Sequence, residues 1–129
     1  MTSPLPPEIE RVAAEVIEAA SRVHAAMGPG RVKAVYEACM AHELEQRHIP
    51  FAARVPLPVK ASGRKLHTGL RLDLLVAEKV IVEIAALAEL PAVFEEQLRT
   101  YLEQADLRLA LLVNFNVATF ADGVRRVQR

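Results

Sequence analysis

Two carboxylates in this chain stand where a soluble protein rarely places them. Asp73 interrupts the apolar run Leu70 to Val76, and Glu83, ten residues on, interrupts the run Val80 to Ala85. Leaving a charge unpaired among apolar side chains is costly, so such residues have partners. Each run reads as a strand, and Ala77-Glu78-Lys79 joins them as a hairpin. Side chains alternate along a strand, so Arg71, Asp73 and Leu75 share one face while Ile81, Glu83 and Ala85 share another. A turn centred near Glu78 sets Asp73 opposite Glu83 and Arg71 opposite Ala85, with opposed β-carbons about 5 Å apart. Two carboxylates that close repel unless something positive lies between them. Mg²⁺ or Mn²⁺ would suit, with the main-chain carbonyl of Ile84 as a further ligand. The plainer reading is an ion pair with Arg71 or a nearby lysine.

The elements needed to position this pair follow from pattern. The chain opens on a Pro-rich lead-in, residues 1–7, and Pro6 and Pro7 suit the first turn of a helix. Ile9, Val12, Val16, Ala20, Val23, His24 and Met27 recur at helical spacing, and Gly28-Pro29-Gly30 ends that helix. A second helix is expected from about Arg31 to Arg47. Phe51 to Lys60 reads as a strand, at an edge or bulged because of Pro56 and Pro58. The hairpin strands come next, then a helix from Pro91 to Ala105, a strongly apolar strand from Leu107 to Phe115 that reads as central, and a last strand at Val124 to Val127. On the third helix Gln97 and Tyr101 are four apart and share one face. Taken alone, they read equally as a boundary residue and a core aromatic. The order α-α-β-β-β-α-β indicates one α/β domain, residues 1–129, with helices packed on a mixed sheet.

Composition narrows the partners. At 129 residues, 52% apolar and 25% charged, the chain is an ordinary single globular domain that needs no disulfide or structural zinc. Cys39 stands alone, which excludes a disulfide framework and a Cys-based zinc site. No signal-peptide pattern or membrane-length apolar run is visible, so the expected location is cytoplasmic. Sixteen basic and sixteen acidic residues leave no net attraction to nucleic acid, and phosphate binding would need a local patch or a metal. An edge strand near Phe51 makes a homodimer conceivable, with Pro56 and Pro58 acting against it.

Taken together, Val23-His24, Met27-Gly28-Pro29-Gly30, Val35-Tyr36-Glu37, Val55-Pro56-Leu57-Pro58-Val59, Arg71 to Val76, Lys79 to Glu83, Gln97 with Tyr101, and Leu111 to Phe115 resemble the GxxExxY proteins, a branch of the PD-(D/E)XK nuclease superfamily. The resemblance implies a four-stranded mixed sheet flanked by helices, a restriction-endonuclease-like core, and metal-dependent phosphodiester hydrolysis with nucleic acid as partner. It implies that Asp73 and Glu83 are the metal carboxylates and that Gln97 and Tyr101 line the site. His24 matches the family's first-helix histidine, which in RecB-like relatives can ligate metal. A lone histidine on an apolar helix face is also commonly a satisfied core residue.

Two positions depart from the pattern. Lys33 stands where the naming motif places a glutamate, and Ala85 stands where the catalytic lysine belongs. The resulting expectation is a degenerate nuclease-like domain with impaired or lost hydrolysis, binding nucleic acid or a protein partner. Lys33 is read in two ways: as a relocated catalytic ammonium keeping an Mg²⁺-dependent nuclease active, or as an ion pair with Glu37, Asp73 or Glu83. A third reading is a small-ligand or engineered site, in a pocket enlarged by Ala85, Ala86 and Ala88.

Overall fold

The computed structural model describes residues 4–129, so Met1 to Ser3 of the lead-in lie outside the described residues. Helix α1 spans Pro7–Met27 and α2 spans Lys33–Gln46. Strands β1 (Phe51–Pro56), β2 (Val59–Ala61), β3 (Arg64–Leu66), β4 (Arg71–Val76) and β5 (Val80–Ala85) come next. Helix α3 (Val93–Ala105), β6 (Leu109–Asn114), a short 3-10 turn (Phe120–Gly123) and β7 (Val124–Gln128) complete the chain.

The main sheet has five strands in the order β1-β4-β5-β6-β7, one more than the four expected. The fifth is β7, the last strand that the pattern places at Val124 to Val127 and the four-stranded count leaves out; it pairs antiparallel with β6. Only β5 and β6 run parallel, with α3 as their crossover. β6 is buried along its whole length and flanked on both sides, although the middle position belongs to β5. The single strand expected from Phe51 to Lys60 divides in two. Pro58 has no N–H to give a ladder, and beyond it the chain leaves the main sheet to form the separate β2–β3 hairpin. The second helix begins at Lys33 rather than Arg31, because Gly28-Pro29-Gly30 and the extended Val32 hold the connection open.

The sheet is sandwiched between helices. On one face Val16, Ala20 and Val23 of α1 and Tyr36, Met40 and Leu44 of α2 pack on Leu74, Val82, Leu111 and Phe115. On the other, Leu98 and Leu102 of α3 pack on Ile81, Ala85, Ala110 and Leu112. Such a strand set, apolar on both faces, needs helices on both. Tyr36 fixes the start of α2. Its ring stacks on Phe115 at 4.5 Å and its hydroxyl donates to the Gly28 carbonyl while accepting the Arg31 N–H. That anchor sets where Lys33 emerges.

Candidate active site

β4 and β5 pair in the register Val76↔Val80, Leu75↔Ile81 and Leu74↔Val82, and the next position brings Asp73 to Glu83, as the hairpin centred on Glu78 requires. The backbone ladder stops there, and the carboxylates take over its hydrogen bonds. Glu83 Oε2 accepts the Asp73 N–H at 2.7 Å, and Asp73 Oδ2 accepts the Ile84 N–H at 2.9 Å. The strand alternation also breaks at this point. Leu72 packs on the α3 side and Leu74 on the α1–α2 side, although residues two apart ordinarily share a face. On the neighbouring strand Arg54, level with Asp73, has φ of +52°, and the pair is missing from the β1–β4 ladder. The local irregularity turns Asp73 into the gap between strands, as bulges near active sites commonly do.

A cleft of about 120 Å³ opens here, lined by Lys33, Asp73, Glu83, Ile84, Ala85, Gln97 and Tyr101 with Phe94, Leu98 and Leu112 as its apolar wall. Six of the seven residues considered from sequence as site members therefore converge. The Ile84 side chain belongs to the opposite core, so its main chain is what faces the cleft. Gln97 and Tyr101 arrive together from one face of α3.

His24 is the seventh, and the structure does not bring it to this cleft. Its Nε2–H donates to the Val117 carbonyl at 2.7 Å, and its ring lies 5.8 Å from that of Phe120. It is buried and satisfied at the far end of α1. Nor do three small residues enlarge the pocket: Ala85 lines it, but Ala86 packs against the other core and Ala88 is exposed. Ala85 is buried against its apolar wall, so its methyl group fills the place from which a lysine would have projected.

The positive charge in the cleft comes from α2. Lys33 Nζ lies 3.0 Å from Asp73 Oδ2 and 3.2 Å from Oδ1, and 3.8 Å from Glu37 Oε1 one turn along. Arg54 closes the far side of Glu37 at 3.2 Å, so the charges alternate from Asp73 on β4, over Lys33 and Glu37 of α2, to Arg54 on β1. Burial pushes the Glu83 carboxyl up to about 8, and the nearby Asp73 charge adds to the effect. Glu83 is therefore easier to protonate than an exposed glutamate, and the Lys33 ammonium sits against its neighbour Asp73. The Tyr101 hydroxyl is raised by burial and then by the charges of Glu83 and Asp73.

Asp73 and Glu83, with the main chain of Ile84 beside them, are the groups that would hold a divalent ion in this cleft, and the Lys33 ammonium on both Asp73 oxygens competes with it for them.

A mixed sheet clasped by helices, with an acid pair at a broken hairpin ladder and a Gln-x-x-x-Tyr helix across from it, defines a nuclease-like α/β domain. The chain belongs to the PD-(D/E)XK nuclease superfamily, whose model matches residues 10–127. Members are typically dependent on divalent metal. No curated protein and no solved structure matches the chain. None of the helices among the described residues is long and apolar enough to cross a membrane.

Proposed function

We propose that this chain is a PD-(D/E)XK domain of the GxxExxY type that holds nucleic acid and hydrolyses it poorly or not at all. The observation that carries this reading is the Lys33 ammonium on Asp73, at 3.0 Å, with Ala85 in the adjoining wall. Metal-assisted hydrolysis needs a cation between the carboxylates to lower the pKa of water. Here a tethered cation occupies the best acceptor and activates no water. Loss of one aimed charge from a preorganised site costs about 10²–10³ in rate, and here the lysine and the open cation position are both missing. Asp73, Glu83, Gln97 and Tyr101 then serve to shape the cleft and contact the ligand.

A second reading has one observation in its favour. Lys33 lines the same cleft and remains half-exposed, so its ammonium is within reach of a phosphate placed there. In that case Lys33 substitutes for the missing lysine and an Mg²⁺- or Mn²⁺-dependent nuclease survives. A small-ligand role is the weakest, because about 120 Å³ is well below the roughly 300 Å³ at which ligand pockets begin.

The test is cleavage of plasmid, single-stranded and duplex substrates with Mg²⁺ or Mn²⁺. The unmodified protein is expected to leave them intact, while the double variant Lys33→Glu, Ala85→Lys gains metal-dependent cleavage that Asp73→Ala removes. Cleavage by the unmodified protein that disappears in Asp73→Ala overturns the proposal. Its survival or loss in Lys33→Ala then decides whether Lys33 substitutes.

A further inference from the structure

The balanced total charge conceals a one-sided segment. From Gln46 to Leu72 the chain has no acidic residue, but it carries Arg47, Arg54, Lys60, Arg64, Lys65 and Arg71. The middle of that segment is the β2–β3 hairpin, which forms its own two-stranded sheet. Ser62 and Gly63 make its two-residue turn with φ of +51° and +75°, the left-handed pair that closes a tight hairpin. Residues 60–71 are all exposed. Lys60, Arg64 and Lys65 form no ion pair among the described residues.

One detail of the register goes against the hairpin's own stability. Lys60 lies directly opposite Lys65. Directly opposed residues project to the same face about 5 Å apart, and like charges there destabilise the pairing. An isolated two-stranded hairpin is already marginal in water. Placing two ammonium groups side by side on it is unfavourable for the free protein and favourable once an anion lies between them.

The arm is also aimed. It leaves the main sheet after Pro56 and returns at Arg71, which pair at the end of the β1–β4 ladder nearest Asp73. Gln104 Oε1 accepts the Lys60 N–H at 2.8 Å and ties the arm to α3. Gln97, Tyr101 and Gln104 are spaced at i, i+4 and i+7, so one stripe of α3 lines the cleft and continues to the arm. Seven residues at about 1.5 Å each put the arm's anchor roughly 10 Å along the helix from Gln97.

We infer that the β2–β3 hairpin is a phosphate-binding arm that grips the nucleic-acid backbone beside the cleft, with Lys60 and Lys65 flanking a phosphate on one face and Arg64, beside the turn on the other face, reaching round to the next. This rests on the nucleic-acid reading above. A membrane surface fits less well, because Leu66 is the only large apolar side chain exposed on the two short strands, and anchoring asks for a broad apolar face.

The experiment is fluorescence anisotropy with labelled single-stranded and duplex oligonucleotides at several salt concentrations, in the full chain and in K60Q/R64Q/K65Q. Each phosphate contact contributes about 0.9 to the slope of log affinity against log salt on duplex and about 0.7 on a single strand. The triple variant is expected to lose about 1.8 of that slope on duplex or about 1.4 on a single strand, and on the order of tenfold in affinity near 0.1 M salt. Arg64→Lys keeps the slope. The substituted side chains are exposed, and unchanged thermal unfolding checks that the fold is retained; Lys65→Gln alone, losing up to one phosphate's share of the slope, about 0.9 on duplex, serves if the triple variant melts early. Binding by the unmodified protein with affinity and slope unchanged in the triple variant overturns the arm and leaves the nucleic-acid reading standing. Binding to phosphatidylserine vesicles, with neither oligonucleotide bound, overturns both.

Discussion

Replacing Glu83 with glutamine isolates the proton held in the cleft. The Glu83 carboxyl is raised from 4.5 to about 8, by burial first and by the Asp73 charge second. Between those values the folded protein binds a proton that the unfolded chain has already released, so stability falls as pH rises. At about 1.4 kcal/mol per pH unit, the loss attributable to this group accumulates to about 3.5 kcal/mol between pH 5 and pH 8 and levels off above pH 8. Movement of the half-exposed Lys33 toward the new charge lowers the cost, so this figure is a ceiling. Glu83→Gln keeps an oxygen to accept the Asp73 N–H and cannot titrate. Urea unfolding of both proteins across pH 5–8 gives the difference directly, and the histidines common to both cancel. The unmodified protein is expected to lose up to about 3.5 kcal/mol relative to the variant over that range. A difference that stays constant within about 1 kcal/mol means that Glu83 is ionised throughout, and refutes the reasoning.

Removing the Lys33 ammonium with Lys33→Ala is expected to raise Mn²⁺ affinity by roughly fivefold, the effect of one partly screened charge, as read by titration calorimetry and abolished by Asp73→Ala. Gly123→Ala places a β-carbon 2.0 Å from the Asn114 carbonyl oxygen and 3.0 Å from Val117 Cγ2. The main chain must move, and the expected cost is about 2–3 kcal/mol in the urea unfolding free energy. Tyr36→Phe keeps the stack on Phe115 but removes the hydroxyl between the Gly28 carbonyl and the Arg31 N–H. A loss of about 1–2 kcal/mol is expected, with faster amide exchange at residues 31–35.

The hairpin register was legible because two apolar runs around a three-residue turn leave little choice: Asp73 meets Glu83 in either description. The grouping of Gln97 with Tyr101 came from helical spacing, the α/β class from the order of the elements, and the nuclease-like reading from the resemblance of the matched segments to a family. Other features were not legible, for physical reasons. The departure of β2 and β3 from the main sheet is decided by which strand each one pairs with beyond Pro58, and single-strand propensity is silent about partners. The separation of His24 from the cleft depends on the Val117 carbonyl, 93 residues away. The contact of Lys33 with Asp73 depends on where α2 starts, which Tyr36 sets through tertiary contacts. The basic arm was hidden by counting charge over the whole chain, when a window from Gln46 to Leu72 would have exposed it.

The replacement of ladder hydrogen bonds by the two carboxylates makes the positions of this site unequal in what the fold can spare. A lysine at position 85 would serve chemistry alone, and an alanine there still accepts the Phe115 N–H through its main-chain carbonyl. Truncating Asp73 or Glu83 strands a main-chain N–H on the facing strand, at a cost of about 1–3 kcal/mol. The scaffold can therefore surrender turnover at one residue and still be obliged, for its own cohesion, to retain the other two. In this architecture an intact acid pair certifies a well-formed sheet and says nothing, by itself, about a working enzyme.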